Sequence, residues 1–193
     1  MPPVSIRVFL HASLFLAWVL LFVTQTVLVS VGRTAVHRRL GVAAAVIAAT
    51  MVVSSPPLAV ELARRGGPGG GTDPLVFFLV IVSDIVLFGA FVGVALVWRR
   101  RRELHKRLMM LAMIVVMPAA MSRWPIAAKN PAPVISAVLL AFILAMVVND
   151  LLTRRRPHPS TIVGGIVVLV SLPVRFAVAQ TAAWHHFASW LIR

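Results

Sequence analysis

The sequence predicts an all-α fold: an integral membrane bundle of six transmembrane helices, the first four arranged as a duplicated helical hairpin. Three observations predict it. Of 193 residues, 60% are hydrophobic and only 12% are charged, and a mean hydropathy of +0.96 is more than a water-facing surface of this size tolerates. Six apolar runs approach the roughly 20 residues that a helix needs to cross a hydrocarbon core of about 30 Å. The cations, which give a net charge of +14, gather in short loops between those runs. There they set orientation and meet anionic headgroups, so the expected partner is the lipid bilayer and not nucleic acid.

The first span covers about residues 6–32. A single Arg7 precedes apolar residues from Val8 to Val31, a run longer than a signal-peptide core and without an Ala-x-Ala-like end, so it is read as retained. The second span, 40–62, is expected to bend or break at Pro56-Pro57, where two backbone donors are missing. The glycine-rich segment from Arg64 to Gly71 reads as a flexible external loop. A phosphate-cradling reading of it lacks the preceding strand and the following lysine-serine pair. The third span is 75–98. The fourth, 108–122, is short and carries Pro118. The fifth, 134–152, is entered through a Pro131-Ala132-Pro133 turn. The sixth, 160–179, contains Pro173 and is followed by a Trp184 to Trp190 tail suited to an interfacial anchor. Residues 1–193 are read as a single transmembrane domain.

Loop charges alternate. One side carries Arg33, Arg38 and Arg39, then Arg99 to Arg102 with Lys106 and Arg107, then Arg154 to Arg156. The other carries Arg7, Arg64, Arg65, Arg123, Lys129 and Arg193, with Arg175 just inside the sixth span. The heavier side is expected in the cytoplasm of a bacterial inner membrane, with both termini periplasmic. Residues 34–53 and 102–121 repeat one pattern: His37-Arg38-Arg39-Leu40 and His105-Lys106-Arg107-Leu108 each open an apolar run. A parallel duplication of a helical hairpin follows. Arg154-Arg155-Arg156-Pro157-His158 is a weaker echo.

These histidines are the first candidate site. Delivered to one side of a helical bundle, neutral imidazoles at 37 and 105 could be the axial ligands of a haem b, with nearby arginines placed for its propionates. His11 and His185 could form a weaker outer pair. The plain alternative is that interfacial histidines sit among headgroups. Asp84 is the second candidate. It lies about 15 Å below the external end of the third helix, so it needs a partner or a wet cavity. Arg175 is the first choice of partner and Arg123 the second. The group reads either as a proton or substrate site or as an ion pair that fixes helix packing. Met110, Met113, Met117 and Met121 recur at helical spacing and read as packing. Glu61 and Asp73 at one rim, and Asn149-Asp150 at the other, are expected to face water or loop cations. Cysteine is absent, which removes thiolate nucleophiles, disulfides, Cys-ligated zinc and iron–sulfur clusters.

His37-Arg38-Arg39-Leu40-Gly41, then His105 with Met109, then Arg123, resemble a group of uncharacterised bacterial multi-pass inner-membrane proteins. In these, one helix opens with His-x-x-Leu-Gly, and a later one opens with His-x-x-x-Met and ends near an arginine. The resemblance covers the first two thirds of the chain. The Gly164-Gly165 pair and the Thr181-Ala182-Ala183-Trp184 tail are similar as well. It implies topology and site choice but no activity. The paired helix-entry histidines are distantly similar to membrane cytochromes b, which place their ligands deeper in the helices. Three functions therefore compete. They are a small haem-associated or redox membrane protein, a transport or binding module built on Asp84, Arg123 and Arg175, and a structural subunit. A homo-oligomer is compatible with each.

Overall fold

A computed structural model describes residues 5–67, 73–122, 124 and 131–192. The described chain forms α1 (Ile6–Ser30), α2 (Thr34–Arg64), α3 (Pro74–Val97), α4 (Arg102–Val116), α5 (Pro118–Met121), α6 (Pro131–Arg154), α7 (Pro159–Ala179) and α8 (Ala182–Leu191). Six segments are long and apolar enough to cross a membrane: α1, α2, α3, α4 continued by α5, α6 and α7. The fold is all-α and the protein is a multi-pass membrane protein. Large apolar side chains such as Leu16, Leu20 and Val23 on α1 or Val163 and Ile166 on α7 stand exposed, as lipid-facing positions do. The chain divides into two compact units, residues 1–85 with 191–193, and Val86–Trp190.

In the first unit α1 packs along α2. Their connection turns at Gly32, whose φ of +76° is a left-handed value that suits glycine. α2 buries Ala44, Ala48, Met51, Ser55, Ala59 and Ala63, a stripe at helical spacing whose small side chains let a neighbouring backbone come close. Trp18 of α1 is also buried. Of the bend or break expected at Pro56-Pro57, the break does not occur: α2 is one helix from Thr34 to Arg64. A broken helix in lipid would expose carbonyls with nothing to bond. Just before the prolines, the hydroxyls of Ser54 and Ser55 donate to the Met51 carbonyl at 3.4 and 2.6 Å. At the far end of α2, Glu61 pairs with Arg7 at 3.3 Å and with Arg65 at 2.7 Å. The glycine-rich segment falls partly outside the described residues. Its first glycines, Gly66 and Gly67, have φ of +88° and +75°.

In the second unit α7 packs against both α4 and α6. Gly164 and Gly165 make this arrangement fit. A Cβ at Gly164 would lie 2.2 Å from Leu111 Cδ1 of α4, and one at Gly165 would lie 2.7 Å from Ile143 Cγ2 of α6. Adjacent glycines thus admit a different neighbour on each side. α4 starts at Arg102, ahead of its apolar run, and stops at Val116; Pro118 opens the short α5. The early start has a physical reason. Glu103 in the first turn favours the positive end of the helix dipole, and charged first turns need not lie in hydrocarbon. α6 already begins at Pro131, because prolines in a first turn lack only donors that have no helical partner anyway. Pro173 lies within an unbroken α7. Along α8, Trp184, Phe187 and Trp190 follow one another with ring centroids 5.9 and 6.3 Å apart.

Candidate functional site

The second unit holds a buried polar cluster where α4 and α7 begin and α6 ends. Arg107, in the second turn of α4, is 3% exposed, Asp150 near the end of α6 is 1% exposed, and Thr161 in the first turn of α7 is fully buried. A charge taken out of water must be paired and hydrogen-bonded on every side. Arg107 Nε donates to both Asp150 oxygens at 3.0 and 3.2 Å, and Nη2 donates to Asp150 Oδ1. The Thr161 hydroxyl and the His158 backbone N–H donate to Asp150 Oδ2 at 2.7 and 3.0 Å. Arg107 Nη1 donates to the Glu103 carbonyl at 2.8 Å and to Glu103 Oε2 at 2.6 Å. Glu103 accepts further from Lys106 at 2.8 Å and from Arg154 at 2.9 Å. One network therefore ties α4, α6, α7 and the α6–α7 connection together.

His158 is the N-cap of α7. Its Nδ1 accepts from the Ser160 N–H at 3.2 Å and lies 2.7 Å from the Ser160 hydroxyl. Only an unprotonated Nδ1 can accept, so the cap requires a neutral ring. Burial lowers the His158 pKa, the charges of Arg107 and Arg154 lower it further, and Asp150 and Glu103 oppose them.

Beside this cluster lies an open cleft of about 460 Å³, lined among others by Arg101, Arg102, Leu104, His158, Pro159 and Ser160. It sits where α4 and α7 both present their N-terminal ends, which carry partial positive charge. Glu103 also lines it, but is already engaged by Lys106, Arg107 and Arg154. Among the described residues neither Arg101 nor Arg102 pairs with a carboxylate. Arg101 instead stacks over the Trp98 ring, 4.2 Å from its centroid, a contact that holds a guanidinium in place without neutralising it. The cleft is therefore a positively charged mouth with two apolar wall residues.

The candidates read from the sequence lie elsewhere. His37 and His105 each occupy the fourth residue of their helix, α2 from Thr34 and α4 from Arg102, and both are half-buried. His37 belongs to the first unit and His105 to the second. His105 Nδ1 lies 2.8 Å from the Ala95 carbonyl. A carbonyl only accepts, so Nδ1 carries the proton, and in the neutral ring Nε2 keeps its lone pair. His11 is half-buried in α1 against Phe15, ring centroids 4.6 Å apart. His185 is half-buried in α8. Asp84 is half-buried on α3 in the first unit. Arg175 of the second unit is buried, and donates to the Ser171 carbonyl at 3.1 Å and to its hydroxyl at 2.9 Å. Arg123 lies outside the described residues. Among the described residues no three His, Asp or Glu side chains converge as metal ligands.

Sequence reasoning placed Asp150 at a rim facing water or loop cations, with Arg107 among those cations; it allowed for a cationic partner but missed the burial of the pair and the part of Thr161. Two signals point to it in retrospect. Asp150 is one of only five acidic residues, and it ends an apolar helical run where a carboxylate needs a donor. Arg107 shares the face of Leu111 and Val115, four and eight residues on, which is the buried face of α4.

No family model matches the chain, and neither the curated proteins nor the solved structures include a significant match to it.

Proposed function

We propose that this multi-pass membrane protein is a non-enzymatic binding module that recognises a phosphate-type anion at the mouth between the first turns of α4 and α7. One observation carries the reading: a cleft of about 460 Å³ whose lining includes Arg101 and Arg102, neither paired with a carboxylate among the described residues, while the lining carboxylate Glu103 is already taken by Lys106, Arg107 and Arg154. Guanidinium groups match phosphate oxygens in geometry and charge, and the helix N-termini add partial positive charge. The Arg107–Asp150 network beneath keeps the two helix ends in register. The arginine-rich loops support an orientation with this mouth in the cytoplasm of a bacterial inner membrane and both termini in the periplasm. The test is equilibrium binding to the purified full chain of three probes: inorganic phosphate, glycerol 3-phosphate and phosphatidylglycerol. At least one is expected to bind, and the Arg101→Gln/Arg102→Gln protein is expected to lose about tenfold or more in affinity. Absence of binding by all three would end the reading.

A second reading, haem b binding through His105, is favoured by one observation. The Nδ1–H of His105 is held by the Ala95 carbonyl, the arrangement that fixes a ligating imidazole and leaves Nε2 for a metal. Haem would supply one-electron chemistry, and His105 would hold its iron from one side. The sequence's candidate for a second ligand is His37. An absorption spectrum of the purified protein decides: a Soret band lost in His105→Ala supports the reading, and a colourless haem-supplemented preparation refutes it.

A further inference from the structure

We infer that the occupant of the α4–α7 mouth is an anionic phospholipid, its phosphodiester between Arg101 and Arg102 and its acyl chains descending along α7. This rests on the anion-binding reading above and narrows it to one source.

Three features distinguish a lipid from a soluble phosphate. The first is depth. The lining residues come from the ends of two membrane-crossing helices, Arg102–Met121 and Pro159–Ala179, so the mouth opens at headgroup level. The second is the path that leaves it. Below Ser160 on the same face, α7 exposes Val163, Val167 and Val170 at 62%, 40% and 52%, an apolar track that begins where the cationic lip stops. A soluble anion has no use for such a track, whereas a glycerolipid needs an apolar surface next to its phosphate. The third is composition: Leu104 and Pro159 stand among the lining cations and offer contact to a glycerol backbone. Basic pockets between spanning helices at a cytoplasmic leaflet are suited to anionic headgroups in this way. The volume of about 460 Å³ also lies within the range of about 300–1,000 Å³ usual for small-ligand sites.

The size of the positive charge here would attract any anionic lipid diffusely, so the test must separate seating from attraction. The full chain is purified in a neutral detergent, phosphatidylglycerol or phosphatidylcholine is added at low molar ratio, and retained lipid is counted by native mass spectrometry. One tightly retained phosphatidylglycerol per chain is expected, with phosphatidylcholine released. Arg101→Gln/Arg102→Gln should weaken retention by about tenfold or more, while Arg155→Gln/Arg156→Gln, an equal loss of charge outside the lining, should weaken it by less than about threefold. Equal weakening by the two pairs would overturn the cleft and leave only diffuse attraction. Displacement by glycerol 3-phosphate at equal affinity would overturn the lipid while sparing the anion reading. A third outcome, in which neither phosphatidylglycerol nor inorganic phosphate depends on Arg101 and Arg102, would end both. Replacing Val163 and Val167 with serine should loosen phosphatidylglycerol and leave any glycerol 3-phosphate binding unchanged. No change in phosphatidylglycerol retention would refute the acyl track.

Discussion

At the scale of single residues, Asp150 takes hydrogen bonds from three separate donors: the Arg107 guanidinium, the Thr161 hydroxyl and the His158 backbone. Removing the guanidinium leaves a buried carboxylate facing only two neutral donors. Arg107→Ala is therefore expected to destabilise the protein by about 3–5 kcal/mol, read as a fall in the thermal midpoint of the detergent-solubilised chain. Replacing both charges, as Arg107→Met with Asp150→Leu, should recover part of that loss and not all of it. The Thr161 hydroxyl and the His158 N–H would still lack their acceptor. Full recovery would show that these two donors contribute nothing. His158 adds a pH dependence of definite sign. Its pKa in the folded protein is lowered from the ordinary 6.5, so the folded state holds the ring proton more weakly than the unfolded chain does. The stability this confers is complete above that value and is lost as the pH falls through the folded pKa. The thermal midpoint should drop as the pH falls below the ordinary 6.5, and His158→Asn, which caps without titrating there, should make the drop shallower.

Between helices, the two glycines of α7 should respond differently to a methyl group. Gly164 meets the tip of Leu111, which can turn about its side-chain torsions. Gly165 meets Cγ2 of Ile143, a branch fixed at Cβ. Gly165→Ala is expected to be the costlier change, about 1–3 kcal/mol. Ile143→Leu, which moves the branch one carbon outward, should relieve it. A thermal-shift series over the single and paired variants checks both expectations, and equal costs at the two glycines would contradict them. The same elements show what a sequence reveals about helices. The six spans could be read because crossing lipid demands about 20 apolar residues, a requirement written locally in the chain. Helix starts obey other rules. α2 and α4 begin at Thr34 and Arg102, before their apolar runs; in α4 the first-turn Glu103 suits the helix dipole. The Pro56-Pro57 pair likewise looked like a break because proline propensities are set in water, whereas in lipid the unbroken helix is the better way to satisfy the backbone.

Across the whole molecule, the absence of cysteine makes orientation directly measurable. Under the proposed topology, a single cysteine placed at Arg155 should react with a membrane-impermeant maleimide only after the cells are opened. One placed at Arg65 should react in intact spheroplasts, and the reverse pattern would invert the protein. Loop charge carries the expectation of this orientation, but nothing local announced the pairing of Arg107 with Asp150, which lie 43 residues apart. Spacing along one helix reveals a face; it does not reveal which other helix that face meets. The separation also bears on biosynthesis. Arg107 leaves the ribosome well before Asp150 and Thr161, so until α6 and α7 emerge its guanidinium has Glu103 as its neighbouring carboxylate. A polypeptide terminated between α5 and α6 would carry this arginine without its buried counter-ion, and quality-control proteolysis should clear it faster than the finished chain.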